Sequence, residues 1–149
     1  MDGKYAFVIM IQDRWWREFL RRKQQGKRTH SYVQKGLAPP KYGSVILFYV
    51  TKPVGEMAGY AEFIERQAGN AEKMWEEYGH ESVLKSKEQF EEFIGGRSEA
   101  SFIRFKNLNK ASKPIPLTNL LVLLSVKRLS RRGFYVDRKT ADKLTEFME

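Results

Sequence analysis

Tyr42–Glu65, YGSVILFYVTKPVGEMAGYAEFIE, is the stretch whose reading decides the fold. Val45 to Val50 is a near-continuous apolar run rich in β-branched and aromatic residues. Gly43-Ser44 precedes it and Lys52-Pro53 follows, which predicts a buried strand bounded by turns. A turn around Val54-Gly55-Glu56 leads into a second run. There Met57, Gly59, Ala61 and Phe63 take one face, and Ala58, Tyr60, Glu62 and Ile64 the other. The two runs predict a β-hairpin. Gly59 leaves room for another backbone or a ligand to approach closely.

Upstream of the hairpin, Tyr5 to Ile11 predicts another strand. Asp13 is the expected N-cap of a helix from Trp15 to Gln25 that stops at Gly26. Trp15, Trp16, Phe19 and Leu20 form its apolar face, with Arg14, Arg17, Arg21 and Arg22 around them. Adjacent tryptophans point in different directions on a helix, so one is expected in the core and the other under a loop or partly exposed. Gly26 to Gly36 is a polar, basic turn leading into a short strand, and Ala38-Pro39-Pro40 breaks the chain before the hairpin.

Downstream, Gln67-Ala68-Gly69-Asn70 is expected as a loop ending in a cap. Ala71 to Tyr78 follows as a short acidic helix with Met74, Trp75 and Tyr78 inward, stopped by Gly79. Ser86 and Gln89 stand three apart, as in a capping box, and open a helix through Phe90, Phe93 and Ile94 that ends at Gly95-Gly96. Ala100 to Leu108 predicts a strand with one wet, basic face, and Pro114 to Leu117 a turn. Leu120 to Val126 fits a strand or a buried helix, because periodicity does not separate them. Asp137 to Phe147 predicts a closing helix with Ala141, Leu144 and Phe147 inward. The sum is one domain, residues 1–149, of mixed α+β class around a curved or barrel-like sheet.

The formal net charge is +9. Residues 1–53 carry 11 basic and 3 acidic residues, 54–96 carry 4 and 10, and 97–139 carry 11 and 2. Two basic blocks therefore flank an acidic middle, whose carboxylates read as solvated helix faces. If the basic blocks meet, they make the footprint of a polyanion binder; apart, they are a solvated basic surface. There is no cysteine, which excludes a disulfide framework and permits a cytoplasmic location. His30 and His80 are too isolated to suggest a metal site, and no cofactor motif is present. No apolar run has the length of a membrane span and no signal peptide is expected.

Three groups of residues carry a family resemblance. Tyr42-Gly43-Ser44 through Phe48-Tyr49 to Gly59-Tyr60-Ala61-Glu62 resembles the PUA-like superfamily, which includes PUA, ASCH and EVE/YTH domains. Trp75 to Gly79, Ser86 to Phe90 and Gly95 resemble the two-helix insertion of ASCH-like and related archaeal proteins, and Arg132-Gly133-Phe134-Tyr135 resembles their closing strand. The resemblance implies a PUA-like curved sheet or β-barrel with flanking helices, and a cleft that accommodates RNA or a nucleobase. ASCH proteins carry Gly-x-Lys-x-x-Glu-x-Arg after the first helix. Here Gly26 keeps the glycine, while Arg28, Ser31 and Val33 fall at the lysine, glutamate and arginine positions.

The expected function is binding of RNA or single-stranded nucleic acid, with no enzyme activity required. Arg14, Lys27, Arg28, His30, Lys35, Arg104, Arg131 and Arg132 would meet phosphates or base edges, and Trp15, Trp16 and Tyr135 would stack bases. Some ASCH relatives are amidohydrolases acting on acetylated cytidine through a lysine, a threonine and a glutamate. That resemblance makes Lys27, Thr29 or Ser31, and Glu62 an alternative catalytic group, provided they converge. A protein-interaction domain without nucleic acid is the third reading, and the oligomeric state is open.

Overall fold

The computed structural model describes residues 2–149. Six strands form one mixed sheet: β1 (Ala6–Ile11), β2 (Thr29–Lys35), β3 (Val45–Val50), β4 (Glu56–Asn70), β5 (Glu99–Pro116) and β6 (Phe134–Val136). They lie side by side in the order β2-β5-β4-β3-β1-β6. The sheet is curved and open, not a closed barrel. The helices are α1 (Asp13–Gln24), α2 (Ala71–Tyr78), α3 (Lys87–Ile94), α4 (Leu117–Leu124) and α5 (Arg138–Met148).

The hairpin forms as its sequence requires. β3 and β4 are antiparallel, with Val45 opposite Glu62 and Val50 opposite Glu56. β3 lies parallel to β1, and both are covered on each face, which is why their sequences are continuous apolar runs. Phe7, Ile9, Ile11, Ile46 and Phe48 pack against Trp16 and Phe19 of α1. Ala6, Val8 and Leu47 point the other way, against Leu120 of α4 and Leu144 and Met148 of α5. At the far end, Val33, Ala100 and Phe102 pack under Met74, Leu84, Phe90 and Ile94 of the α2–α3 insertion.

Several expectations are corrected. A register shift between Phe48 and Tyr49 breaks the period-two alternation, so Met57 joins the α4–α5 side while Ala58, Ala61 and Phe63 lie on the α1 side. Residues 67–70 are not a loop: β4 runs on to Asn70, because Gln67 to Asn70 pair with Phe102 to Glu99. Pro114 to Pro116 are the end of β5 rather than a turn, with Ile115 opposite Met57 and Pro116 opposite Glu56. Asp13 is the first helical residue, held to Arg17 at 2.9 Å, and the cap position is Gln12. Gly79 ends α2 as expected, and a 3-10 turn then runs over Gly79–Glu81. The ambiguous run at 120–126 is helical as far as Leu124, with Ser125 as its left-handed cap. Phe147 is 53 % exposed, and Met148 fills the inward position instead.

Gly59 is required by a contact. A Cβ there would come within 2.7 Å of the Trp16 ring and would collide with the Asn109 carbonyl. The room predicted around it is taken by the protein's own core. No helix among the described residues is long and apolar enough to cross a membrane.

Candidate nucleic-acid interface

The basic turn after α1 is built around Arg22. Its Nε donates to His30 Nδ1 (3.1 Å), its Nη2 to the Thr29 carbonyl (2.9 Å) and its Nη1 to the His80 carbonyl (3.0 Å). His30 is 1 % exposed, between Phe19 and Phe105. Burial, reinforced by the Arg22 charge, pushes its pKa down to about 4. His30 is therefore a neutral acceptor that anchors the turn. It is not a contact for phosphate or base.

This anchoring leaves Lys23, Lys27 and Arg28 facing an open groove of about 900 Å³. The opposite wall is β5, with Lys106, Asn107 and Asn109, and Thr29 contributes at the floor. Four cations line the groove, and no carboxylate does. Asn107 takes a left-handed conformation (φ 53°) where the β4–β5 register slips, which turns the strand at the groove wall.

Thr29, Lys106 and Glu62 occupy one register row across β2, β5 and β4. Lys106 Nζ lies 3.6 Å from Glu62 Oε2, and Asn107 Nδ2 donates to the same oxygen (3.0 Å). The lysine beside Glu62 is thus Lys106, whereas Lys27 stands on the turn. The cue in the sequence was Lys106 itself, which alternation places on a wet face of β5; its partner strands were not legible.

The next row, Ser31, Arg104 and Glu65, is closed. Glu81 descends on it from the 3-10 turn, accepting from Ser31 Oγ (2.9 Å) and from Arg104 Nε and Nη2 (both 2.9 Å). Arg104 Nη1 also reaches Glu65 (2.6 Å), and its guanidinium sits 4.9 Å from the Tyr78 ring centroid. Burial raises the Glu81 pKa, but hydrogen bonds from Arg104 and Ser31, with the charges of Arg104 and His80, outweigh it and hold the carboxyl below its ordinary value. Arg104 and Ser31 are therefore interior fasteners rather than nucleic-acid or catalytic groups. The expected wet, basic face of β5 is covered here by the insertion. Sequence reading missed Glu81 because it sits in an acidic run that otherwise faces solvent.

The remaining predicted residues are dispersed. Trp16 is buried and cannot stack a base. Trp15 is partly covered, with the Arg14 guanidinium 4.3 Å from its ring centroid. Lys35 is exposed and lies 5.5 Å from the Phe93 ring centroid. Tyr135 packs edge-on against Phe7, and its hydroxyl accepts from the Lys41 N–H (2.9 Å). Arg131, with Lys52, Lys127 and Arg128, lines a second groove of about 820 Å³ that shares no residue with the first. Arg132 is exposed outside both linings. Each groove draws on both basic blocks: Lys23, Lys27 and Arg28 meet Lys106 in the first, and Lys52 meets Lys127, Arg128 and Arg131 in the second. No group of three or more His, Asp or Glu side chains among the described residues is placed to hold a metal.

Sequence comparison matches the chain to no family model and to no curated protein. Structural comparison is informative. The chain superposes on the ASCH protein of Zymomonas mobilis (TM-score 0.76, 21 % identity, 97 % of this chain and 96 % of that one). A point mutant of that protein gives TM-score 0.81 at 19 % identity over the whole of both chains. Rpa0253 from Rhodopseudomonas palustris is more distant, with TM-score 0.51 and 11 % identity over 97 % and 92 % of the chains. Identities this low carry the fold and not the chemistry: the chain has the ASCH-like, PUA-like α+β fold.

Proposed function

We propose that this protein is a cytoplasmic RNA-binding module that holds a single strand in the groove between the α1–β2 turn and β5. One observation carries the reading: Lys23, Lys27, Arg28 and Lys106 line that groove without a carboxylate among them. Cations gathered on one wall attract phosphates and release counterions on binding. Asn107 and Asn109 offer amide donors and acceptors for base edges. No aromatic ring other than the buried His30 lines the groove, so the phosphate backbone dominates and sequence preference is weak.

Binding of a short single-stranded RNA across a salt series tests this. Four phosphate contacts predict a log–log slope of about −3. The triple variant Lys27→Gln, Arg28→Gln, Lys106→Gln should flatten that slope by about 2. No binding at low salt, or an unchanged slope in the triple variant, overturns the reading.

The Thr29–Lys106–Glu62 row favours one second reading, hydrolysis of an acylated nucleoside. The test is turnover of acetylated cytidine, with Lys106→Ala expected to abolish it. Absence of turnover by the unmodified protein removes this alternative and leaves the binding reading intact.

A further inference from the structure

The sheet fails to close at one seam, and the seam holds a cavity. β6 pairs with β1 only over Ala6 to Val8, so the Ile9–Ile11 half of β1 has no strand on that side. The edge strand β2 curls toward it until Tyr32 donates its hydroxyl to the Met10 carbonyl (3.3 Å). No backbone ladder fills the gap. Below it lies a cavity of about 160 Å³, lined by the rings of Trp15, Phe19, Tyr32 and Phe93 and by the Gln12 side chain.

Its size limits what it can hold. An apolar cavity of about 150 Å³ accommodates one benzene ring. Four aromatic side chains favour a flat π-system, by offset or edge-on contact. Its rim is cationic. Arg14 lies over Trp15 and donates from Nε to Gln12 Oε1 (3.0 Å), and Lys35 lies over Phe93. Neither cation has an ion-pair partner among the described residues, and no carboxylate lines the cavity. Gln12 has an amide N–H left to donate to a ring carbonyl.

We propose that this seam cavity is a binding site for one six-membered aromatic ring bearing a nearby anionic group, as in a pyrimidine nucleotide. The ring enters between Trp15 and Phe93, and the phosphate stays outside, between Arg14 and Lys35. A purine carries a fused second ring that would extend beyond that volume into the opening and lose contact with the rings. The site is separate from the basic groove and does not depend on its role. The ligand can come as a free nucleotide or as one unit of a single strand.

Trp15 makes the test direct: titrate UMP, AMP and uridine against tryptophan fluorescence at low salt, with calorimetry as a second readout. UMP should bind at least about tenfold tighter than AMP, because a misfitting ring loses its pocket contacts. Loss of the phosphate in uridine should cost about fivefold, as should Arg14→Gln or Lys35→Gln. Phe93→Leu, which keeps an apolar side chain there, should remove the ring preference while thermal unfolding shows the fold intact. Displacement of UMP by oligouridylate, tighter per molecule than UMP itself, assigns the site to single strands; no displacement assigns it to the free nucleotide. Equal affinity for UMP and AMP, or binding indifferent to Arg14→Gln and Lys35→Gln, overturns the proposal. Lys27 and Arg28 variants probe only the groove, so either site can fail without the other.

Discussion

Glu81 and His30 show how single buried polar residues hold the insertion and the basic turn in place. Glu81 has three hydrogen bonds from Ser31 and Arg104. Removing one partner of a buried ion pair is strongly destabilising, so Glu81→Gln should cost about 3 kcal/mol in denaturant unfolding. His30 makes stability depend on pH. Its folded pKa of about 4 lies below the usual 6.5, so the unfolded chain takes up the proton first. The stability that neutral His30 contributes is complete above pH 6.5 and is lost as pH falls toward 4. The shift corresponds to about 3 kcal/mol. Glu81, also held low, adds a loss below the ordinary carboxylate range. Unfolding measured between pH 7 and 4 should therefore show a steep decline, and His30→Gln should flatten its upper part. Neither residue announced this role. Both sit in polar stretches whose ordinary reading is solvent-facing, and distant elements complete their burial: Phe105 over His30 and Ser31 against Glu81.

At the scale of elements, local chemistry was legible wherever it was complete within a few residues. Ser86 accepts from the Gln89 N–H (3.1 Å), and the Gln89 side chain accepts from the Lys85 N–H (2.7 Å). The Ser86 half is the cap expected from spacing; the return bond goes to Lys85, one residue before the cap. Ser86→Ala should lower stability by about 1 kcal/mol, measured by chemical denaturation. α2, α3, α5 and the β3–β4 hairpin follow from capping residues, apolar spacing and turn residues in the same way, and α1 from its apolar spacing. The strand failures lie on β4 and β5; the helical ones are the cap of α1 and the inward face of α5. Gln67 to Asn70 and Pro114 to Pro116 carry turn residues, yet they belong to strands because each finds its ladder partners on the other long strand. Turn chemistry is a weak local preference, and a ladder set by distant pairing overrides it. The bulges had the same effect on faces: each extra residue moves every later side chain to the opposite side.

Across the whole molecule, charge decides how the surface is used, and the fold divides it. The first basic block places Lys23, Lys27 and Arg28 in one groove. The second is split: Lys106 joins that groove, Arg104 is enclosed, and Lys127, Arg128 and Arg131 line another groove whose floor includes Leu117, Leu121 and Leu129. Neutralising Lys27 and Arg28 should therefore weaken RNA binding more than neutralising Lys127, Arg128 and Arg131, although the latter removes more charge. Side-by-side salt titrations of the two variants check this. By itself, the sequence determined the α+β class, the central hairpin, the short helices and the excess of positive charge, because propensity, periodicity and composition act within a few residues. The tertiary structure alone decided that the sheet stays open, that Lys106 stands between Thr29 and Glu62, that Arg104 and His30 are interior, and that a cavity lines the seam. Those outcomes depend on register and burial between segments far apart in the chain, and local preferences do not encode them.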